Sequence, residues 1–129
     1  GEEKRETGRD LLFLLASITE KVLAADREKD SLSLEEIKKR IDALQEEEIR
    51  EFAEKRSLLL ASFGTKGFAE VFGTFSLGER FLNRVWSAGV DGCRSEAHLY
   101  LSRSSSLFSS ALQAMEEQLG RGGHQMRVD

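Results

Sequence analysis

Proline is absent from all 129 residues, cysteine occurs once and histidine twice. A chain without proline has neither stiff Pro-rich linkers nor the punctuated loops of most β-sandwiches. A single cysteine excludes an internal disulfide framework and any Cys-based zinc site. Long apolar runs are missing too. The apolar, uncharged run at residues 11–19 is about half of the roughly 18 residues that a membrane-crossing helix needs. Positive charge is not in excess either: 19 Lys/Arg face 23 Asp/Glu for a net −4, which argues against a general nucleic-acid-binding surface.

What is present is one domain's worth of chain with 40% apolar and 33% charged residues, enough for a modest core under wet helix faces. Charge is uneven. Residues 1–57 hold 12 basic and 16 acidic side chains, while residues 58–129 hold 7 of each and are rich in Ser, Gly and Phe. An exposed front half and a back half committed to packing or to a partner are expected from that contrast. The chain opens on Gly1 rather than Met, as an excised or tagged piece would, and residues 1–8 contain no apolar signal-peptide core. One unpaired thiol favours a reducing compartment, with the cytoplasm as the default.

Periodicity predicts four helical segments. In the first, over 9–29, Leu11, Leu14, Leu15, Ile18, Val22 and Ala25 form one stripe, with Phe13 nearly opposite. The second starts at a capping box, Ser33-Leu34-Glu35-Glu36, and reads as one long helix over 34–63 with Gly64 as its left-handed stop. Ile37, Ile41, Leu44, Phe52, Leu59 and Phe63 share its inner face, and Glu48 interrupts that face at mid-length. Glu35/Lys39, Glu36/Arg40, Glu46/Arg50 and Glu51/Lys55 are acid-first pairs four apart. Leu58-Leu59-Leu60 makes the end apolar all round, so deep burial is expected there. The third segment reads as two short helices, 68–74 and 77–88, with a second capping box at Ser76–Glu79. One helix across both would align Phe68, Phe72, Phe75, Leu82 and Trp86, but would carry two interior glycines at about 1 kcal/mol each. The fourth, over 95–119, has a broad stripe from Ala97 to Leu119 and stops at Gly120. No segment alternates like a strand. The expectation is all-α: an antiparallel bundle of four to five helices over 9–119, between a flexible N-terminal segment at 1–8 and a flexible tail at 120–129.

Chemistry-bearing groups are sparse. Glu96 and His98 are two apart and point to different helix faces, and no Glu-x-x-His occurs, which excludes a di-iron bundle. Cys93 sits beside Arg94, a setting that lowers a thiol pKa, but no His or Asn constellation completes a nucleophilic site. Gly64-Thr65-Lys66-Gly67 lacks the strand and the Gly-Lys-Ser/Thr order of a phosphate loop and reads as a connection. No catalytic residue, metal or cofactor is therefore expected. Ser102–Ser110 reads as a small-residue packing face, or as a phosphorylation cluster behind Arg103.

The most unusual stretch is 63–81, which holds five of the eight phenylalanines among four glycines. Such rings either fill a core where glycines let backbones approach, or form an apolar patch that docks a partner. The functional expectation is a non-enzymatic interaction module (a scaffold, adaptor or assembly subunit) that binds a protein partner, of its own kind or another. Leu59, Phe63, Phe68, Phe72, Phe75 and Trp86 are the nominated contact residues. A peripheral membrane protein using 63–81 is the alternative, and nucleic acid is not an expected partner.

Overall fold

The structure is a computed structural model that describes the backbone of residues 2–128 and the side chains of residues 8–121. Helix α1 (Glu2–Glu28) ends in a 3₁₀ turn (Lys29–Ser31). Then come α2 (Leu34–Leu44), a π turn (Gln45–Ile49), α3 (Arg50–Glu54), α4 (Arg56–Val90) and α5 (Arg94–Val128). The protein is all-α. The expected flexible ends over 1–8 and 120–129 fall largely on side chains outside the described residues; the backbone of 2–8 belongs to α1 and that of 120–128 to α5, so Gly120 does not stop the last helix.

The α1 stripe is buried as its spacing predicts, with Leu11, Leu15, Ile18, Val22 and Ala25 inside and Phe13 66% exposed on the far side. The chain then reverses at two fitted ends. Ser33 accepts from the Glu36 amide at 3.0 Å while the Glu36 carboxylate takes the Ser33 amide, which completes the capping box. From across the bundle the Arg94 guanidinium donates to the carbonyls of Lys29, Asp30 and Leu32 at 3.0–3.3 Å. A helix end leaves such carbonyls short of partners, and that of Lys29 takes the Leu32 amide as well.

The long helix expected over 34–63 is not continuous, and the physical reason lies at Glu48. Ile37, Ile41 and Leu44 are buried at α-helical spacing, and the next inward position would fall on Glu48. The π turn inserts one residue, so Ile49 faces the core instead and Phe52 follows it, both fully buried. Glu48 swings outward to pair with Lys21 of α1. A second break falls at Lys55, whose φ/ψ of −96°/14° ends α3. Gly64 does take a positive φ (74°), but its ψ of 178° is extended rather than the left-handed helical value of a helix stop, and it forms a kink inside α4 rather than a terminus.

Beyond that kink α4 runs unbroken, so the division into 68–74 and 77–88 is wrong and the Ser76–Glu79 capping box does not form. The glycine cost is met at Gly78 by a close approach. A Cβ there would lie 3.2 Å from the Phe108 ring of α5, so the bare backbone lets that ring sit against α4. The same closeness redirects Ser104. A helical serine can bond back to the carbonyl four residues earlier, but the Ser104 hydroxyl donates across to the Gly78 carbonyl at 2.8 Å.

Cross-contacts fix the topology. Arg40–Glu28 and Lys21–Glu48 join α1 to the leg formed by α2, the π turn and α3. Gln45–Asn83 joins that leg to α4, Gln118–Glu70 joins α4 to α5, and Thr19 with the Phe108 carbonyl joins α1 to α5. Early residues of one leg meet late residues of the next throughout, so the four legs run up, down, up and down around one core. Of the four expected pairs along the second leg only Glu51–Lys55 forms, at 3.8 Å. Glu35 turns to Lys38 and Arg40 to Glu28, while Glu36 is held in the cap. The end at 58–60 is not deeply buried either: Leu59 is, but Leu58 and Leu60 are each 43% exposed.

Candidate interaction surface

The aromatic segment is the middle of the core. Phe52 and Phe75 lie 4.6 Å apart by ring centroid, Phe72 is 5.3 Å from Phe75, and Phe108 meets Phe75 edge-on at 5.5 Å. Phe68 stacks on Phe72 at 5.3 Å. Rings from α3, α4 and α5 thus meet in one cluster, where offset and edge-on contacts add to the burial of each ring. Of the six nominated residues, Leu59 and Phe75 are wholly buried, and Phe63, Phe68 and Phe72 are half-buried against the core. Trp86 alone keeps substantial exposure, at 38%.

Trp86 lies where α2 meets α4. The Lys38 ammonium of α2 sits 5.7 Å from the indole centroid and is itself 3.0 Å from Glu35. Val90, one turn along α4 from Trp86, is 55% exposed. An indole and a valine at i and i+4 share one helix face, so this end of α4 presents a small apolar face beside a held cation. Phe13, by contrast, is a lone exposed ring on the outer side of the uncharged 11–19 stretch of α1.

The polar clusters have structural duties. On α5, Ser102 donates to Asp26 of α1 at 2.7 Å, and Lys29 reaches the same carboxylate at 2.7 Å. Burial alone would raise the Asp26 carboxyl, but the Lys29 and Ser102 hydrogen bonds, the Lys29 charge and Ser105 hold it below its ordinary value. Glu48 is likewise held low: Lys21 and Ser17 outweigh the upward push of burial. That pair borders a groove of about 310 Å³ between α1 and the π turn, floored by Ala24, Ala43 and Leu44. Glu79 on α4 is pushed the other way, upward, by burial.

His98 is half-buried at the boundary of the bundle. Its Nε2 is buried with no hydrogen-bond partner, and Nδ1 is 3.6 Å from Asp30. Burial and then the Arg94 charge push its pKa below the ordinary 6.5. Cys93 is exposed in the turn between α4 and α5, and the Arg94 guanidinium beside it in sequence is committed to the carbonyls at the end of α1. Among the described residues no three His, Cys, Asp or Glu side chains are grouped to hold a metal ion.

Sequence reasoning missed one surface. On the outer side of α4 and α5, the Arg84 guanidinium carbon lies 5.1 Å from the Phe81 ring centroid and 5.9 Å from that of Tyr100. Arg103 approaches Phe81 from α5 at 5.9 Å. A signal was there to be read: residues 80–90 and 97–115 contain no Asp or Glu.

These features define an all-α, up-down-up-down bundle with an aromatic core. No protein-family model, curated protein or solved structure matches the chain. No helix among the described residues is long and apolar enough to cross a membrane.

Proposed function

We propose that this protein is a non-enzymatic helical interaction module, a scaffold, adaptor or assembly subunit, that docks a protein partner through an apolar helix face. The observation that carries the reading is the pairing of Trp86 with Val90 on one exposed turn of α4. Indole rings rank among the commonest anchors of protein interfaces, since they bury a large rigid area at little entropic cost. Lys38, held over the ring by Glu35, supplies a polar rim of the kind that surrounds such anchors. Of the residues nominated from sequence, Trp86 keeps the contact role here, and the phenylalanines keep the task of holding α4 in place. A lipid-inserting role for Phe68, Phe72 and Phe75 has no comparable support, because those rings are engaged with one another and with Phe52.

The test is site-specific photo-crosslinking in cells that make the protein. A photoreactive phenylalanine replaces Trp86 in one variant and Phe13 in another. A discrete protein adduct from position 86 and none from position 13 is expected. Equal labelling from both positions, or none from 86, would remove the assignment.

A further inference from the structure

The outer face built by residues 80–90 of α4 and 97–115 of α5, stretches that hold no Asp or Glu, points to a second contact, chemically different from the Trp86 face. Trp86 and Arg84 are two residues apart on α4, so they look to opposite sides of that helix. Around Arg84 the surface is built from both helices. Arg84 and Arg103 approach the same Phe81 ring, and Tyr100 lies 6.0 Å from Phe81 by ring centroid. Arg80 stands one turn before Arg84 on the same helix face, and Leu77, 43% exposed, one turn before Phe81. A concavity of about 390 Å³ opens alongside, lined by Phe81, Ser102, Arg103, Ser106 and Leu107.

Two properties narrow what fits. Among the described residues Arg80, Arg84 and Arg103 form no ion pair and no hydrogen bond, in a chain where acids outnumber bases. A guanidinium stacked on a ring is held in position while its N–H edge stays free, and that edge matches a carboxylate with two parallel bonds. Two carboxylates border this face: Asp26, tied to it through Ser102, is already compensated by Lys29, and Glu96, one turn before Tyr100 on α5, makes no ion pair with these arginines. The floor between the cations is apolar, from Phe81 and Leu107. Charge complementarity therefore calls for an anionic occupant, and the floor calls for one that also carries an apolar side chain.

We propose that this groove docks an acidic, amphipathic peptide segment of a partner protein, its carboxylates on Arg84 and Arg103 and an apolar side chain against Phe81 and Leu107. The proposal rests on the reading of the chain as an interaction module and adds the chemistry of a partner. Serine phosphorylation at Ser106, exposed on the rim of the groove, would place like charge where the peptide's carboxylates bind and would oppose docking.

The experiment is fluorescence anisotropy with the full chain and a labelled peptide of alternating Asp/Glu and Leu/Phe. The same peptide with Asn/Gln in place of the acids, inorganic phosphate and a short single-stranded RNA serve as competitors. Expected is saturable binding that weakens as salt rises, with at least about tenfold loss in Arg84→Gln/Arg103→Gln, since charge-assisted hydrogen bonds are the strong class. Arg84→Lys/Arg103→Lys should recover only part of it, because an ammonium keeps the charge but not the planar fork. Circular dichroism of each variant establishes that the fold is retained. The proposal is overturned if the uncharged peptide competes as well as the acidic one, or if the Gln variant binds unchanged. Stronger competition by phosphate or RNA overturns the peptide assignment, and self-association abolished by the same Gln pair would make the occupant a second copy. A failure here with the adduct at position 86 intact sinks only this groove. Peptide binding without that adduct sinks the Trp86 face instead.

Discussion

Deleting Glu47 is the perturbation that separates the architecture described here from a plain helix. At about 100° per residue in an α-helix, Ile49 would stand about 140° away from Leu44, outside a stripe roughly 100° wide. The π turn absorbs that excess and brings Ile49 and Phe52 into the core. Removing one residue between Leu44 and Ile49 leaves about 40° between them, which ordinary α geometry satisfies. Glu47 is exposed and forms no ion pair among the described residues, so nothing buried is lost with it. The deletion should therefore fold, and its urea midpoint should report stability within about 1 kcal/mol of the parent. Deleting exposed Ser106 is the control. It turns one side of α5 by about 100°, which swings out either Phe108, Ala111 and Met115 or Ala97, Leu101 and Ser104. Losing burial of even one large side chain costs about 3–5 kcal/mol of a total near 5–15, so that variant should be largely unfolded. The assay is urea unfolding followed by circular dichroism. Equal damage from the two deletions would refute the inserted-residue account.

Three further outcomes follow from the same geometry. Phe75→Ala, at the centre of the ring cluster, should lower stability by about 3–5 kcal/mol in chemical denaturation, whereas Phe13→Ser should change it by less than about 0.5. Burial raises the Glu79 pKa, so the folded state carries a penalty wherever that carboxylate is ionised. Glu79→Gln should accordingly raise the urea midpoint at neutral pH, with the gain disappearing as pH falls below the ordinary carboxylate range near 4. For His98 the folded pKa is depressed, so stability is fully present above the unfolded value of about 6.5 and declines as pH falls below it. A midpoint-versus-pH series should show that decline flattened in His98→Leu.

Much of the architecture is legible in the spacing of apolar residues. The stripes of α1 and α5, the Ser33–Glu36 cap and the positive φ of Gly64 are local matters, and local chemistry decides them. Glu48 shows where that stops. Its intrusion on an apolar face is visible from sequence, but the remedy depends on Lys21, far away in sequence on another helix, and on room for a wider turn. The continuity of α4 depends on Phe108 in the same way: a glycine read alone breaks a helix, whereas a glycine under a ring seats one. Among the nominated site residues, periodicity cannot distinguish a phenylalanine facing the core from one facing a partner. That distinction required the positions of Phe52 and Phe108. The arginine face was hidden for a related reason. An acid-free stretch can be counted, but Arg84 and Arg103 meet at one ring only once α4 and α5 lie side by side.

The account stands on four legs of a single chain closing one core around the phenylalanines, and the most direct measurement is the urea midpoint across about a hundredfold range of protein concentration. A core completed within the chain predicts the same midpoint throughout, since unfolding then involves one molecule on each side. A midpoint that climbs with concentration would mean that a neighbouring copy supplies part of the core, and would contradict the closed bundle.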